Sequence, residues 1–318
     1  MDIEYLLFLQ DFRNGIQDVL TPLMQFLSDF AVNYLFLIPV FIYWVVSKRK
    51  GLYTLASYYV CCGINAAVKL TACVYRPWIR DPRVVPAGDS IKTATGYSFP
   101  SGHTVSAGPL YGGLAVTAWS KSKILAVFCG VLVLLTGFSR NYLGVHTPQD
   151  VAVGIFESVL WLIVMYKIFQ YLEVHPEKEN WFLLGCFLLG TALLIYITVK
   201  PYPMDYVDGK LLVDPKKMMV DGYGDIAYLL AFPVARLIER KWVRFEPMGL
   251  DVKGILLGLV GLIPALILKV YLKAPLQALL GDHWGKFART ALLVLYCIVL
   301  FPALIKLIQV KAARPKES

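Results

Sequence analysis

Apolar runs, each about 20 residues long and nearly free of charge, follow one another along this 318-residue chain. A hydrocarbon core of roughly 30 Å takes about 20 helical residues to cross. Within lipid the backbone must satisfy its own hydrogen bonds, which a helix does internally. Nine segments fit, at roughly 27–46, 52–74, 102–119, 122–138, 149–169, 181–199, 219–237, 253–271 and 288–309. The composition agrees: 17% of residues are charged, where a soluble domain carries about 25%. A water-soluble globule, a disordered chain and a disulfide scaffold are excluded. The expected fold is all-α, a polytopic membrane helical bundle.

Ahead of the first run, Ile3, Leu6, Leu7, Leu9 and Phe12 alternate with Asp2, Glu4, Asp11 and Arg13 at near-helical spacing. The pattern predicts an amphipathic helix lying at the membrane interface, within a segment 1–26. Met1-Asp2-Ile3-Glu4 has no basic n-region and no small-residue cleavage site, so no removable signal peptide is expected. The seventh run is the most polar, with Asp221 and Asp225 at its start and Pro233 and Arg236 near its end.

The net charge is +9, which in a soluble protein would suggest nucleic acid. Here the cations cluster between spans, where they orient helices instead. Lys48-Arg49-Lys50, Lys121 with Lys123, Arg236 to Arg244, and Lys311 with Arg314 and Lys316 all fall on one side of a nine-span bundle, which becomes the cytoplasmic side. Connections 75–101, 139–148, 200–218 and 272–287 then face outward or into a lumen. The six cysteines, Cys61, Cys62, Cys73, Cys129, Cys186 and Cys297, lie in or beside apolar runs without metal-ligand spacing. They read as small apolar side chains.

Polar residues gather around the second to fifth spans. Lys69 lies inside the second span, where a charge costs about 2.5–3.5 kcal/mol at the helix centre. Arg76 follows seven residues later, next to Pro77, so that two helical turns would set both cations on one face. Such cations also snorkel to anchor helix ends. Ser101-Gly102-His103 opens the third span with a natural N-cap and free N–H groups at the positive end of a helix, which suits an anion. Ser139-Arg140 closes the fourth span. Thr147-Pro148-Gln149-Asp150 opens the fifth as N-cap, N1, N2 and N3, which places His146 within reach of the Asp150 carboxylate. Such a carboxylate fixes the ring tautomer and leaves the other nitrogen as a directed lone pair. All these groups fall at the outward ends of their spans. Packing in lipid does not require that convergence, whereas an anionic substrate does.

Lys69-x6-Arg76-Pro77, then Pro100-Ser101-Gly102-His103, then Ser139-Arg140-x5-His146-x3-Asp150 resembles the three-part signature of the type 2 phosphatidic acid phosphatase superfamily, with every position filled. The resemblance covers residues 69–150 and implies a six-helix core over about 27–199. Residues 200–318, with about three further spans, fall outside it. It implies that His146 attacks phosphorus in line to give a phosphohistidine, that Asp150 orients His146, and that His103 protonates the leaving oxygen and then activates water. Lys69, Arg76, Ser101, Gly102 and Arg140 would hold the phosphate oxygens. No cluster of carboxylates suited to Mg²⁺ accompanies the motif, so metal independence and no cofactor are expected.

An outward phosphate site fits a substrate whose tail stays in lipid. The expected substrate is a lipid phosphate or diphosphate, with an undecaprenyl-type polyprenyl diphosphate first. Phosphatidic acid, phosphatidylglycerol phosphate and long-chain-base phosphates fit the same geometry. So do phosphotransfer to another acceptor and, outside catalysis, a phospholipid-binding or transport protein. A vanadium haloperoxidase would share the anion pocket but is hard to reconcile with so apolar a chain. The chain has no Asn-x-Ser/Thr acceptor, which favours a bacterial plasma membrane with an extracytoplasmic site; an organelle membrane with a lumenal site has the same topology. Membrane lipids are the other expected partners, and nucleic acid is not one. Several further residues have a structural and a functional reading. His175 and His283 lie in hydrophilic connections, and Glu157 falls two turns after Asp150 as a polar partner. Residues 86–90, and Asp205, Asp208 and Asp214, would gate or shape a lid, while Arg236 to Arg244 would touch anionic lipid.

Overall fold

The computed structural model describes residues 1–313. Of the expected terminal basic cluster, Arg314 and Lys316 lie outside the described residues. Every one of the nine apolar segments is helical. After α1 (Asp2–Gly15) and α2 (Thr21–Asn33), α3 (Leu37–Phe41) continues as a π-turn to Val46. The chain bends by 41° between α2 and the Leu37–Val46 stretch. Then come α4 (Lys48–Ala72), the single turn α5 (Pro77–Arg80), α6 (Gly102–Ala118), α7 (Lys123–Tyr142), α8 (Pro148–Val174) and α9 (Glu179–Val199). A two-stranded hairpin, Tyr206–Val207 with Lys210–Leu211, precedes α10 (Pro215–Ile238), α11 (Val252–Tyr271), α12 (Lys273–Leu295) and α13 (Phe301–Ala313). By length and hydropathy six helices are able to cross a membrane, or seven if the bent pair counts as one. Helix α6 has only 17 residues, and α10 carries Lys216, Lys217, Asp221 and Asp225 in its N-terminal half.

The expected interfacial helix ends at Gly15, and residues 21–26 already belong to α2. One face of α1 packs on the protein: Leu6, Leu9 and Arg13 are buried. Arg13 donates to the Val85 carbonyl at 2.9 Å and the Tyr142 carbonyl at 3.3 Å. Asp2 pairs with Arg80 at 2.8 Å. Helix α1 is therefore fastened across the same end of the bundle as the 76–100 connection and the end of α7.

Helix α6 is the central post, packed on α2, α4, α7 and α8. Its small residues permit that proximity. A Cβ on Gly113 would lie 2.8 Å from the Thr54 side chain of α4, and one on Gly108 would overlap the Ser158 side chain of α8. Helix α10 packs on α4, α9 and α12 and so joins the later helices to the earlier ones. Tyr59 of α4 stacks on Tyr228 of α10, ring centres 5.0 Å apart, in the main apolar core.

At the opposite end of α4 the charges close on themselves. Glu239, fully buried, accepts from Lys48 at 2.7 Å and from Arg236. Glu179 takes Arg236 at 2.7 Å and Arg240 at 2.9 Å. The expectation that Arg236 to Arg244 serves as a lipid anchor is corrected for Arg236 and Arg240. Both guanidiniums are consumed within the protein, because a buried carboxylate needs its partners close.

Candidate functional site

Four helix ends meet at one end of the bundle: the C-termini of α4 and α7 and the N-termini of α6 and α8. Backbone groups left unpaired there give each end its polarity. Helix α4 stops at Ala72, with Cys73 in a left-handed conformation at its C-cap. Arg76 therefore sits in extended backbone as the N-cap of α5. This corrects the expectation that Arg76 shares a helical face with Lys69, since the helix ends four residues before Arg76. The two cations meet by another route, through the carbonyls of the loop that follows α5. Lys69 Nζ donates to the carbonyls of Tyr97 at 3.2 Å, Ser98 at 3.5 Å and Pro100. Arg76 Nε donates to the Gly96 carbonyl at 2.7 Å.

Arg76 also reaches His146. One terminal nitrogen donates to the Val145 carbonyl at 3.0 Å and lies 2.8 Å from His146 Nε2. A guanidinium can only donate, so Nε2 must accept, and the ring proton is on Nδ1. That Nδ1 faces Asp150 Oδ2 at 3.3 Å. The same carboxylate oxygen accepts the Ser98 hydroxyl at 2.6 Å and the Thr147 N–H at 2.8 Å. Thr147 and Asp150 form the capping box expected for α8, with Pro148 at its first position. The turn before it is fixed by Asn141, whose amide donates to the His146 carbonyl at 2.9 Å. Burial, with the Arg76 guanidinium beside it, holds the His146 ring well below the ordinary histidine range. His146 is thus neutral near pH 7, with its Nε2 lone pair turned to the cations.

Ser101 caps α6 as expected, accepting from the Thr104 N–H at 3.4 Å and the Thr104 hydroxyl at 2.9 Å. Both bonds use Ser101 Oγ as acceptor, which leaves its own proton to give. A Cβ on Gly102 would meet nothing within 4 Å, so space lies open at the first turn of α6. His103 is 7% exposed, and its Nε2 has no hydrogen-bond partner among the described residues. Its cationic neighbours are Arg140, Arg76 and Lys69, and the neutral His146 ring lies near it as well. Arg140 is 0% exposed. One of its terminal nitrogens donates to the Ser28 hydroxyl of α2, whereas Nε and the other terminal nitrogen have no partner among the described residues.

The structure therefore brings Lys69, Arg76, Ser101, Gly102, His103, Arg140, His146 and Asp150 to one end of the bundle. Its electrostatics are lopsided: three buried cations and two helix N-termini surround Asp150, whose carboxylate is already saturated, while Asp29, Asp221 and Asp225 stand at the margin of the cluster. Buried donors without partners cost about 1–3 kcal/mol each. A tetrahedral oxyanion would satisfy them together.

The remaining candidates stand apart from this cluster. Glu157 accepts from Asn65 of α4 at 2.9 Å as a buried polar partner. His175 lies 3.7 Å from Glu177, and His283 donates to the Lys216 carbonyl at 2.8 Å. Asp214 caps α10, while Asp205 accepts the Tyr75 hydroxyl. The 86–90 turn is tied to the end of α7 by the Ala87 N–H, which donates to the Leu143 carbonyl at 3.0 Å. Sequence reasoning missed Ser98, Asn141, Ser28 and Thr104. Each is a common polar residue beside a motif, and only three-dimensional proximity distinguishes it.

Comparison with known proteins bears on the same residues. Residues 50–173 match the family model described as PAP2 superfamily. The chain is similar to phosphatidylglycerophosphatase B of Bacillus subtilis (strain 168), with 36% identity over 104 residues, 30% of this chain and 50% of that protein. The chain thus spans about half the length of the curated relative it matches. No solved structure matches the chain. All eight converging residues lie inside residues 50–173, the segment of this chain that matches the PAP2 superfamily model.

Proposed function

We propose that the chain is an integral membrane lipid phosphatase that cleaves a phosphomonoester or diphosphate from a lipid head group. The observation that carries this reading is the pair of Arg140 nitrogens and the His103 Nε2, buried together and without partners among the described residues. A lipid phosphate supplies that anion while its tail remains in the bilayer.

In this reading the entering phosphate draws the Arg76 guanidinium off His146 Nε2 and onto its own oxygens. The freed lone pair attacks phosphorus in line and the bond to the leaving oxygen breaks, which leaves a phosphohistidine. Asp150 accepts the hydrogen bond from Nδ1–H, which stays on the ring, and stabilises the positive ring that forms. His103 gives a proton to the leaving oxygen, then takes one from the water that hydrolyses the intermediate. Arg76, Arg140, the Ser101 hydroxyl and the Gly102 amide bind the equatorial oxygens. Lys69, whose protons already hold three loop carbonyls, adds charge and shapes that loop. Phosphoryl transfer depends mostly on such positioning and charge stabilisation.

The name of the similar Bacillus protein favours phosphatidylglycerol phosphate as substrate, and an outward-facing site favours a polyprenyl diphosphate. Purified protein in detergent, offered both lipids and phosphatidic acid, distinguishes them by free phosphate. Release should persist in excess chelator, and strict loss of turnover there would contradict the cation-only mechanism. Labelled acceptor in place of free phosphate would make the protein a transferase. Neither product, with lipid bound, would make it a carrier.

A further inference from the structure

We infer that helices beyond the family-matched segment supply a positioning relay to the site, in which Lys286 of α12 and Asp221 of α10 hold Thr95, and through it the loop that fixes Arg76 and Lys69. This rests on the reading of the site given above. The loop matters because its carbonyls at Gly96, Tyr97, Ser98 and Pro100 fix Arg76 and Lys69 together. Its backbone must therefore be held still for the guanidinium to be aimed.

Asp221 holds it from the far side. One carboxylate oxygen takes the Lys286 ammonium, and the other accepts the Thr95 hydroxyl. Gly96 is sandwiched between the two halves of the molecule: a Cβ there would lie 3.6 Å from Lys69 Cδ and 3.7 Å from Asp221 Oδ2. Gly224 clears a path for the Lys286 stem, because a Cβ at 224 would lie 2.9 Å from Lys286 Cγ. His283, on the same stretch of α12, fastens to the start of α10 through the Lys216 carbonyl. Apolar contact alone would pack α10 on α12, as it does elsewhere along both helices. Ionised groups within apolar helices are costly and ordinarily face a function. Here they face the loop that carries the site's cations.

Thr95 is exposed, so Thr95→Val removes the hydroxyl at nearly constant volume without disturbing the core. Against wild type in a phosphate-release assay, Thr95→Val should lower kcat by about tenfold to a hundredfold, the scale of a misplaced positioning group. KM should stay within about twofold, the pattern of an interaction felt only in the transition state. The melting temperature should not move. Thr95→Ser, which keeps the hydroxyl, should recover most of the rate. Asp221→Asn should reproduce the loss, and its combination with Thr95→Val should add little further. Wild-type kcat in Thr95→Val overturns the relay while leaving the site reading intact. If wild type itself releases no phosphate from any lipid, the site reading fails first, and orthovanadate affinity decides the relay. Weaker vanadate binding in Thr95→Val upholds it, and equal binding overturns it.

Discussion

Arg140 offers the sharpest test of what this site is for. A buried arginine retained for stability has its donors filled, and cutting such a residue out of a buried pair costs about 3–5 kcal/mol. Arg140 is instead completely buried, with two nitrogens unpartnered among the described residues. Replacing it by methionine, of similar length, relieves two orphaned donors at about 1–3 kcal/mol each. It forfeits one charged hydrogen bond, to Ser28, worth about 1.5–3 kcal/mol. The Ser28 hydroxyl is then free to turn back on its own helix. The sum runs from about 1 kcal/mol of destabilisation to a few kcal/mol of stabilisation. At about 2–4 °C per kcal/mol, anion-free Arg140→Met should melt at most about 4 °C below wild type. Orthovanadate, which mimics the transferring phosphoryl group, should separate the two proteins. At a hundred times its dissociation constant it adds about 2.7 kcal/mol to wild type and much less to the variant at the same concentration. Phosphate release should vanish. A melting temperature lowered by roughly 6 °C or more without ligand, or equal protection of both proteins by vanadate, would show Arg140 to be structural and refute the argument.

Three further outcomes are expected. His146→Ala should abolish phosphate release with the fold retained; comparable turnover would remove His146 as nucleophile. His103→Ala should slow poor leaving groups more than good ones, and equal losses across a leaving-group series would point to another acid. The His146 ring is held well below the ordinary histidine range by burial and Arg76, so below pH about 6.5 the unfolded chain binds a proton that the folded chain refuses. Stability should therefore fall as the pH drops below that value, and His146→Asn should flatten the fall; an unchanged slope in melting temperature between pH 7 and 5 would show that His146 is not buried as a neutral ring.

The fold was legible wherever one physical requirement dominated. Helices recur wherever the sequence places apolar runs, each within a few residues of its expected position, although six of them, or seven with the bent pair, rather than nine are long and apolar enough to cross a membrane. The capping residues at Ser101 and Thr147 were equally plain, because a helix start has a local signature. The end of α4 was not. Pro77 marks a break that helix periodicity alone places next to Arg76, whereas the chain turns at Cys73 in a conformation that a cysteine does not advertise. The site was legible as a set of residue types at helix ends. Its inner arrangement was not, because Lys69 spends its protons on loop carbonyls and Asp221 arrives from a helix about 120 residues away from Thr95 in sequence. Neither contact has a local pattern to read.

A single oxygen of Asp150 both begins α8 and aims His146. The ring's bearing and the first turn of that helix are therefore one mechanical part. A substitution that merely lengthens or shortens the acid at 150 will fray the helix in the same stroke that swings the imidazole. Any retuning of the ring's direction has to come instead from Arg76, which meets the Val145 carbonyl and His146 Nε2 and not the capping carboxylate.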